Sequence, residues 1–225
     1  MKKAITYFLL FTALSSFSTD SADKQLKQTV CNALPLISGW CSQEKALNFV
    51  DLVLEVKPQV CVDIGTFGGS SLFPVASTLK FLKQGFVIGI DPWDKTENLR
   101  NFDPVSDQIN AIWWSTINFD SIYNSYNAMI SNYGLTDYCI TLKMTSEKAA
   151  AQIEHIDILY IDGGHSEAAF TTDVLLFLPK VRRGGYIWLN DTLWEQAQYA
   201  IELLLLQCEV IKLIDNGNCI LFRKI

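Results

Sequence analysis

Short apolar runs alternate with longer segments of helical periodicity along most of the chain. Five runs rich in apolar and β-branched residues each stop at a glycine or a polar residue, as buried parallel strands do: QVCVDIG, GFVIGID, YCITLKM, IDILYID and GGYIWLN. Segments with apolar residues at helical spacing lie between or after them, for example LFPVASTLKFLKQ and SEAAFTTDVLLFLPKV. This alternation predicts an α/β fold with a doubly wound, Rossmann-like sheet that is mostly parallel.

The carboxyl-terminal end breaks the alternation. The runs EVIKLID and CILFRKI are joined by NGN, and Asn-Gly is a strong signal for a β-hairpin turn. The hairpin brings the predicted sheet to seven strands and makes the last strand antiparallel to the others.

Two segments lie outside the regular alternation. Residues 24–58 have the pattern of a helix, a turn and a second helix, with Ser42 as N-cap and Pro58 at the end. Residues 92–136 are long for a connection between strands and contain an aromatic helical section, which is typical of a lid or substrate platform. We therefore predict an N-terminal helical segment over residues 19–58 and a main domain over 59–225, with a helical insert at 92–136.

The amino terminus has the order of a secretory signal. A charged MKK precedes the apolar AITYFLLFTAL, and small polar residues follow. This predicts a signal peptide over residues 1–18 and an exported protein; the alternative is the first amphipathic helix of a cytoplasmic protein. The apolar run is short for a bilayer, so no membrane span is expected in the mature form.

The composition of the chain argues against several classes of function. Apolar residues make up 49% of the chain and charged residues 19%, which is enough to fill a core. The net charge of −6, with no run of Lys and Arg longer than two, argues against a nucleic-acid partner. The six cysteines form no CxxC pair, so a zinc site is not indicated. Six free thiols are favoured over a bridge between Cys31 and Cys41, the one plausible pair.

The first candidate site is the glycine-rich turn VCVDIGTFGGSS, residues 60–71. Glycines after a strand let the backbone approach a ligand and leave the next helix's N–H groups for an anionic group. Asp91 lies 26 residues beyond Gly65, at the tip of the next predicted strand, where a carboxylate can accept both hydroxyls of a ribose. The alternative is an ordinary tight turn between strand and helix.

The second candidate site lies at the tips of the fourth and fifth strands. Asp162, Asn190 and Asp191 offer three oxygen ligands, which favours Mg²⁺, with Mn²⁺ or Ca²⁺ as alternatives. Alternatively, the two aspartates are N-caps of the helices that follow. His165 is close enough to share this pocket as a general base, or to orient a partner without proton transfer. His155 precedes the fourth strand, at the opposite edge of the sheet, and is assigned a structural role.

Several ordered motifs together carry a resemblance: DIGTFGGSS, IGIDPW, MTSEKA, ILYIDGGHS and GGYIWLND. They resemble class I S-adenosylmethionine-dependent methyltransferases, and within these the small, metal-assisted O-methyltransferases, over roughly residues 40 to 225. The resemblance implies the class I methyltransferase fold for the main domain. It implies that S-adenosylmethionine is the cofactor and that these residues bind it: Asp63, Gly65, Phe67, Gly69, Ser71, Asp91, Trp93 and Ser146.

Within those eight residues, the resemblance places the methionine moiety at Gly65, Phe67 and Ser71, the ribose at Asp91, and the adenine near Trp93 and Ser146. Asp63 stands where the family more often has Glu, a carboxylate one methylene longer. Metal-dependent members carry an aspartate followed by an acidic or amide pair 28 and 29 positions later, the spacing of Asp162 with Asn190 and Asp191 in this chain. His165 stands where the family has a Lys or His as general base, so Asp162 and His165 are the expected catalytic residues.

The sequence therefore predicts metal-assisted O-methylation of a small hydroxylated molecule or a glycan. The alternative is an exported binding or effector protein that keeps the fold without turnover, because S-adenosylmethionine is scarce outside the cytosol. A redox iron site is disfavoured because the chain has two histidines in all. Five aromatic residues of the insert either stack on an acceptor or pack in the core: Trp113, Trp114, Phe119, Tyr123 and Tyr126. A homodimer through the N-terminal helices is an open expectation.

Overall fold

The computed structural model describes residues 21–100 and 108–225. Over this part of the chain seven strands form one sheet in the order β3-β2-β1-β4-β5-β7-β6. The five strands from β1 to β5 pair in parallel, and β7 is antiparallel to both of its neighbours. The strands are β1 (Val60–Ile64), β2 (Phe86–Asp91), β3 (Cys139–Lys143), β4 (Ile156–Ile161), β5 (Val181–Asn190), β6 (Cys208–Ile214) and β7 (Cys219–Lys224). The predicted doubly wound, mostly parallel sheet with an antiparallel last strand is confirmed.

Helices cover both faces of the sheet. They are α1 (21–33), α2 (Gln43–Val56), α3 (Leu72–Leu82), α4 (Lys95–Leu99), α5 (Gln108–Thr116), α6 (Phe119–Asn132), α7 (Ser146–Ala150), α8 (Glu167–Phe177) and α9 (Gln198–Leu205). Residues of α1, α2, α3 and α6 form the core on one face, and residues of α7, α8 and α9 form the core on the other. Helices α4 to α6 belong to the long connection between β2 and β3.

The second N-terminal helix is positioned by a cap and by an aromatic anchor. Ser42 is the N-cap of α2, and its Oγ accepts a hydrogen bond from the Lys45 backbone N–H at 3.2 Å. Phe49 is 1% exposed and stacks on Trp188 of β5 with ring centroids 4.1 Å apart. It also makes a T-shaped contact with Tyr160 of β4, with ring centroids 5.1 Å apart. This packing holds α2 against the two strands whose tips carry the predicted metal ligands.

The parallel strands end level with one another. Ile64 of β1 pairs with Ile90 of β2 on one side and with Ile161 of β4 on the other, and Ile161 in turn pairs with Leu189 of β5. The residues that follow these positions therefore emerge at one edge of the sheet, as the sequence predicts.

The hairpin between β6 and β7 turns at the same edge. Asp215, Asn216 and Gly217 have φ values of 55°, 55° and 87°, so the predicted Asn-Gly turn is confirmed. All six cysteines are free thiols. Within the described residues, we find no helix with the length and apolar character needed to cross a membrane. The predicted signal peptide, residues 1–18, lies outside the described residues.

We expect Phe49→Ala to destabilise the protein by about 3–5 kcal/mol, because it leaves a cavity between α2 and the sheet. Urea unfolding at pH 7 measures this. Leu36→Ala is the matched control, since Leu36 is 81% exposed and its truncation leaves no cavity. Equal unfolding free energies for the two variants would contradict the anchoring role of Phe49.

Candidate active site

The turn after β1 packs directly against the loop after β4. Gly65 has a φ of +85°, and a Cβ at this position would lie 1.9 Å from the carbonyl oxygen of Asp162. Only glycine is compatible with both the backbone conformation and this contact. Gly65 also donates its backbone N–H to the carbonyl of Ile90 at 2.9 Å. The glycine turn is thus held between the tips of β2 and β4.

Asp91, at the tip of β2, is held by backbone donors. Its Oδ2 accepts from the backbone N–H of Phe67 at 2.9 Å, and its Oδ1 accepts from that of Trp93 at 2.7 Å. Burial raises the pKa of Asp91 to about 6, against the lowering effect of these two hydrogen bonds. The group is therefore mostly ionised at neutral pH, with further lone pairs available to accept hydroxyl donors.

A cavity of about 640 Å³ connects Asp91 with the predicted metal ligands. Because β1 and β4 lie between β2 and β5, the cavity spans about three strand spacings, or about 14 Å. Nine of the residues predicted from sequence line it: Gly65, Phe67, Ser71, Asp91, Ser146, Asp162, His165, Asn190 and Asp191. A volume of this size is in the usual range for sites that bind cofactors and small molecules.

The side of the cavity nearest β5 holds a hydrogen-bonded acidic cluster, formed by Asp162, His165, Asn190 and Asp191. His165 Nε2 lies 2.8 Å from Asp191 Oδ2 and 4.0 Å from Asp162 Oδ1. The amide Nδ2 of Asn190 donates to Asp162 Oδ1 at 2.9 Å. One ligand atom from each of Asp162, His165 and Asp191 lies within 4.8 Å of the others, so this part of the chain has the spacing needed to hold a metal ion.

The two carboxylates of the cluster differ in their electrostatics. Burial raises the pKa of Asp162 to about 6, and the negative charge of Asp191 adds to this rise. Burial also acts on Asp191, but the hydrogen bond and charge of His165, with smaller effects from Asn218 and Lys45, outweigh it and lower its pKa. Asp191 is therefore the more acidic group, and it directly faces the imidazole.

Two further side chains fix the cluster from behind. Tyr160, two residues before Asp162 on β4, donates its hydroxyl to Asp162 Oδ2 at 2.7 Å. Asn218, from the hairpin turn, donates to Asp191 Oδ1 at 3.1 Å. Each carboxylate oxygen of the cluster therefore has a hydrogen-bond partner that restricts its orientation.

Lys45 also belongs to this site, although it is not among the residues predicted from the sequence. It is 4% exposed, and its Nζ donates to Asn190 Oδ1 at 3.2 Å. The thiol of Cys219 donates to the same oxygen at 2.9 Å. The carbonyl of Asn190, its predicted metal-ligand atom, is therefore directed at Lys45, and its amide group is directed at Asp162.

Aromatic residues of the insert divide between cavity wall and core. Trp113 and Trp114 line the cavity, together with Trp40 from the segment before α2. The rings of Trp40 and Trp113 lie 5.3 Å apart. Phe119 and Tyr126 are buried in the core instead. Part of the aromatic insert therefore packs in the core, and stacking of Trp113 and Trp114 on an acceptor stays a prediction.

Three predicted cofactor residues do not line the cavity. The side chain of Asp63 points to the opposite face from Ile64, as alternation along a strand requires, and Ser71 Oγ donates to it at 3.0 Å. A Cβ on Gly69 would lie 2.5 Å from Met129 Cε, so this glycine permits α6 to pack closely. The indole of Trp93 donates to the carbonyl of Phe67 at 2.7 Å and packs against Tyr126. These residues support the cavity wall from behind.

Some of the missed residues left a signal in the sequence. Lys45 shares a helix face with Phe49, four positions later, and a lysine on an apolar face is unusual. Tyr160 lies two residues before Asp162, on the same side of the strand. Trp194, whose ring lies 5.0 Å from that of His165, left no comparable signal. His155, assigned a structural role, lies 3.5 Å from Asp157 at the other edge of the sheet.

One family model and several solved structures match this chain. The family model described as "Methyltransferase domain" matches residues 62–192, more than half of the chain. A comparison with curated protein sequences found no significant match. Solved structures with a similar fold include the O-methyltransferase NovP, with a TM-score of 0.65, 17% identity, and coverage of 93% of this chain and 99% of that one.

Two other similar structures contain S-adenosylhomocysteine, according to their descriptions. The O-methyltransferase from Bacillus cereus has a TM-score of 0.59 and 15% identity, with 94% of this chain and 97% of that one covered. The Podospora anserina methyltransferase PaMTH1 has a TM-score of 0.58 and 11% identity, with 91% and 88% covered. At these identities, the likeness establishes the fold.

We expect Asp63→Asn to stabilise the protein increasingly as the pH rises. Burial raises the pKa of Asp63 to about 8, and its Oδ1 has no hydrogen-bond partner, so the protein favours the protonated form. The stability from this group is complete below pH 4 and is lost as the pH rises to about 8, whereas asparagine does not titrate.

Urea unfolding of the wild type and Asp63→Asn at pH 5 and pH 8.5 measures this difference. Asp137→Asn is the control, because Asp137 is exposed. A stability difference between Asp63→Asn and the wild type that stays constant between the two pH values would show that Asp63 has an ordinary pKa.

Proposed function

Because the chain belongs to the methyltransferase-domain family, we propose that it transfers a methyl group from S-adenosylmethionine to a hydroxyl of a small molecule or glycan, assisted by a divalent cation. The fold that it shares with proteins described as O-methyltransferases supports oxygen as the acceptor atom. S-Adenosylhomocysteine in two similar structures supports the cofactor.

The observation that carries this proposal is the single cavity that joins Asp91 to the acidic cluster. A methyltransferase site must bind the ribose of the donor, and it must place the acceptor hydroxyl beside a group that can remove its proton. Asp91 offers the first at the tip of β2, and His165 offers the second beyond the tip of β4. The cavity thus has room to hold donor and acceptor together, and such positioning supplies much of the rate in group transfer.

On the cofactor side, the chain provides anchoring and shape. The two backbone hydrogen bonds to Asp91 orient its carboxylate, whose remaining lone pairs can accept ribose hydroxyls. Gly65 and Ser71 line the wall between Asp91 and the cluster. When bound, S-adenosylmethionine supplies a methyl group on a positively charged sulfur, which becomes neutral when the methyl leaves.

On the acceptor side, His165 removes the hydroxyl proton. Its Nε2 lies 2.8 Å from Asp191 Oδ2, and a neutral imidazole can take the substrate proton on a ring nitrogen. The hydroxyl oxygen forms the new bond to the methyl carbon as the carbon–sulfur bond breaks. Asp191 then stabilises the protonated imidazole, as its low pKa allows.

The residues at the cluster fit a divalent cation. Asp162 and Asp191 would hold it through carboxylate oxygens, with Asn190 as the predicted third ligand, and oxygen donors suit Mg²⁺ or Mn²⁺. The cation would lower the pKa of the substrate hydroxyl. Asn190 can join as a ligand only if its carbonyl turns away from Lys45.

We expect Asp91→Ala to weaken S-adenosylhomocysteine binding at least tenfold, or about 1.4 kcal/mol, because charge-assisted hydrogen bonds to the ribose are lost. Isothermal titration calorimetry measures the dissociation constant, with the exposed Asp137→Ala as control. Wild-type protein that does not bind S-adenosylhomocysteine, with or without Mg²⁺, would overturn the proposed function.

We expect His165→Gln to lower methyl transfer about 10²- to 10⁴-fold, because the general base is lost, while S-adenosylhomocysteine binding stays unchanged. Transfer of tritium from methyl-labelled S-adenosylmethionine to a panel of hydroxylated aromatics and glycosides gives the rate. The chain's other histidine supplies the control, His155→Gln, at the opposite edge of the sheet. Unchanged transfer by His165→Gln would exclude its role as base.

A further inference from the structure

Among the residues that the structure describes, Lys45 is the one buried lysine or arginine. It belongs to α2, outside the segment that the methyltransferase family model matches. Its ammonium contacts Asn190 Oδ1 at 3.2 Å and lies 3.8 Å from Asp215 Oδ2. Burial of an ammonium group is costly unless nearby negative charge offsets it, so the surroundings of Lys45 must supply such charge.

The acidic cluster provides that negative charge. Asp162 and Asp191 flank Asn190 in the cluster, and the charge of Lys45 acts to lower the pKa of both carboxyl groups. Asp215 contributes a third carboxylate from the hairpin turn. Lys45 therefore balances part of the charge of the cluster from the side of α2.

The same ammonium determines how Asn190 is oriented. An ammonium group can only donate, so the amide must turn its Oδ1 toward Lys45 and its Nδ2 toward Asp162 Oδ1. The reverse orientation would place two donors together and two acceptors together. Since Oδ1 is the atom of asparagine that binds metal ions, Lys45 occupies the oxygen that a divalent cation would use.

We propose that Lys45 is the internal counter-ion of the acidic cluster and competes with a divalent cation for the Asn190 carbonyl and for the charge of the two aspartates. The inference rests on the proposed cation site. Lys45 keeps the cluster balanced when no metal is bound, and a cation must overcome its repulsion and release Asn190 from it. The affinity of the site for metal is therefore set partly from a helix outside the matched domain.

The test is Mn²⁺ binding to the full chain, followed by electron paramagnetic resonance of free Mn²⁺. Lys45→Met and Lys45→Gln both remove the charge, and the glutamine also keeps a donor for Asn190. Lys27→Met is the control, because Lys27 pairs with Asp51 and does not line the cavity. We expect both Lys45 variants to bind Mn²⁺ at least about tenfold more tightly than wild type, because a unit charge near a dication is removed.

Thermal unfolding gives a second readout. Without metal, Lys45→Met should melt at a lower temperature than wild type, because its carboxylates lose their counter-ion. Mn²⁺ should then raise the melting temperature of Lys45→Met by more than it raises that of wild type or Lys27→Met. Lys45→Gln is expected to behave in the same way, and it serves as the test variant if Lys45→Met does not fold.

Unchanged or weaker Mn²⁺ binding by both Lys45 variants would overturn the inference, as would absence of Mn²⁺ binding in every protein. S-Adenosylhomocysteine titrations on the same samples separate this result from the proposed function. If wild type binds S-adenosylhomocysteine while Lys45 has no effect on Mn²⁺, the counter-ion role alone is wrong. If wild type does not bind S-adenosylhomocysteine, the methyl-transfer proposal fails whatever the metal data show.

Discussion

The level register of the parallel strands β2, β1, β4 and β5 is the constraint on which the site depends. Because Ile64 pairs with both Ile90 and Ile161, the residues after these positions meet at one edge of the sheet. A slip of one residue in any of these strands would turn its side chains to the other face. The glycine turn reinforces the register, since Gly65 contacts the loops after both neighbouring strands.

The balance of charge among the buried ionisable groups of the cavity is the second constraint on the site. Burial raises the pKa of Asp91 and of Asp162, each to about 6, so the cavity carries acidic groups that are close to titration at neutral pH. The pKa of Asp191 is lowered despite burial, because His165 and Asn218 interact with its carboxylate. The positive charge of Lys45, on α2, offsets part of the negative charge of these carboxylates. The cluster is thus both a candidate cation site and a polar network that links the N-terminal helix, β4, β5 and the final hairpin.

The fold was predictable from sequence because each element carries its own local signal. Apolar runs mark the strands, the Asn-Gly pair marks the hairpin, and Ser42 marks the start of α2. The residues at strand tips were also predictable, because parallel strands bring their carboxyl ends together. It was harder to predict which residues face the cavity. Asp63 and Trp93 lie near the carboxyl ends of β1 and β2, but they do not line the cavity.

The remaining site residues depend on tertiary contacts that no local pattern contains. Lys45 reaches Asn190 across 145 positions of sequence, and Asn218 reaches Asp191 across a hairpin. The orientation of the Asn190 amide follows from the donors around it rather than from its place in a motif. The structure therefore adds the electrostatic surroundings of a candidate site, most of whose predicted residues line one cavity.

A crystal structure of the full chain with S-adenosylhomocysteine and Mn²⁺ would test the central claim most directly. We expect the ribose hydroxyls to lie on the Asp91 carboxylate and the sulfur to point toward His165 and Asp162, within the cavity that joins them. Nucleoside density elsewhere on the protein, or a sulfur directed away from His165 and the aspartates, would contradict it.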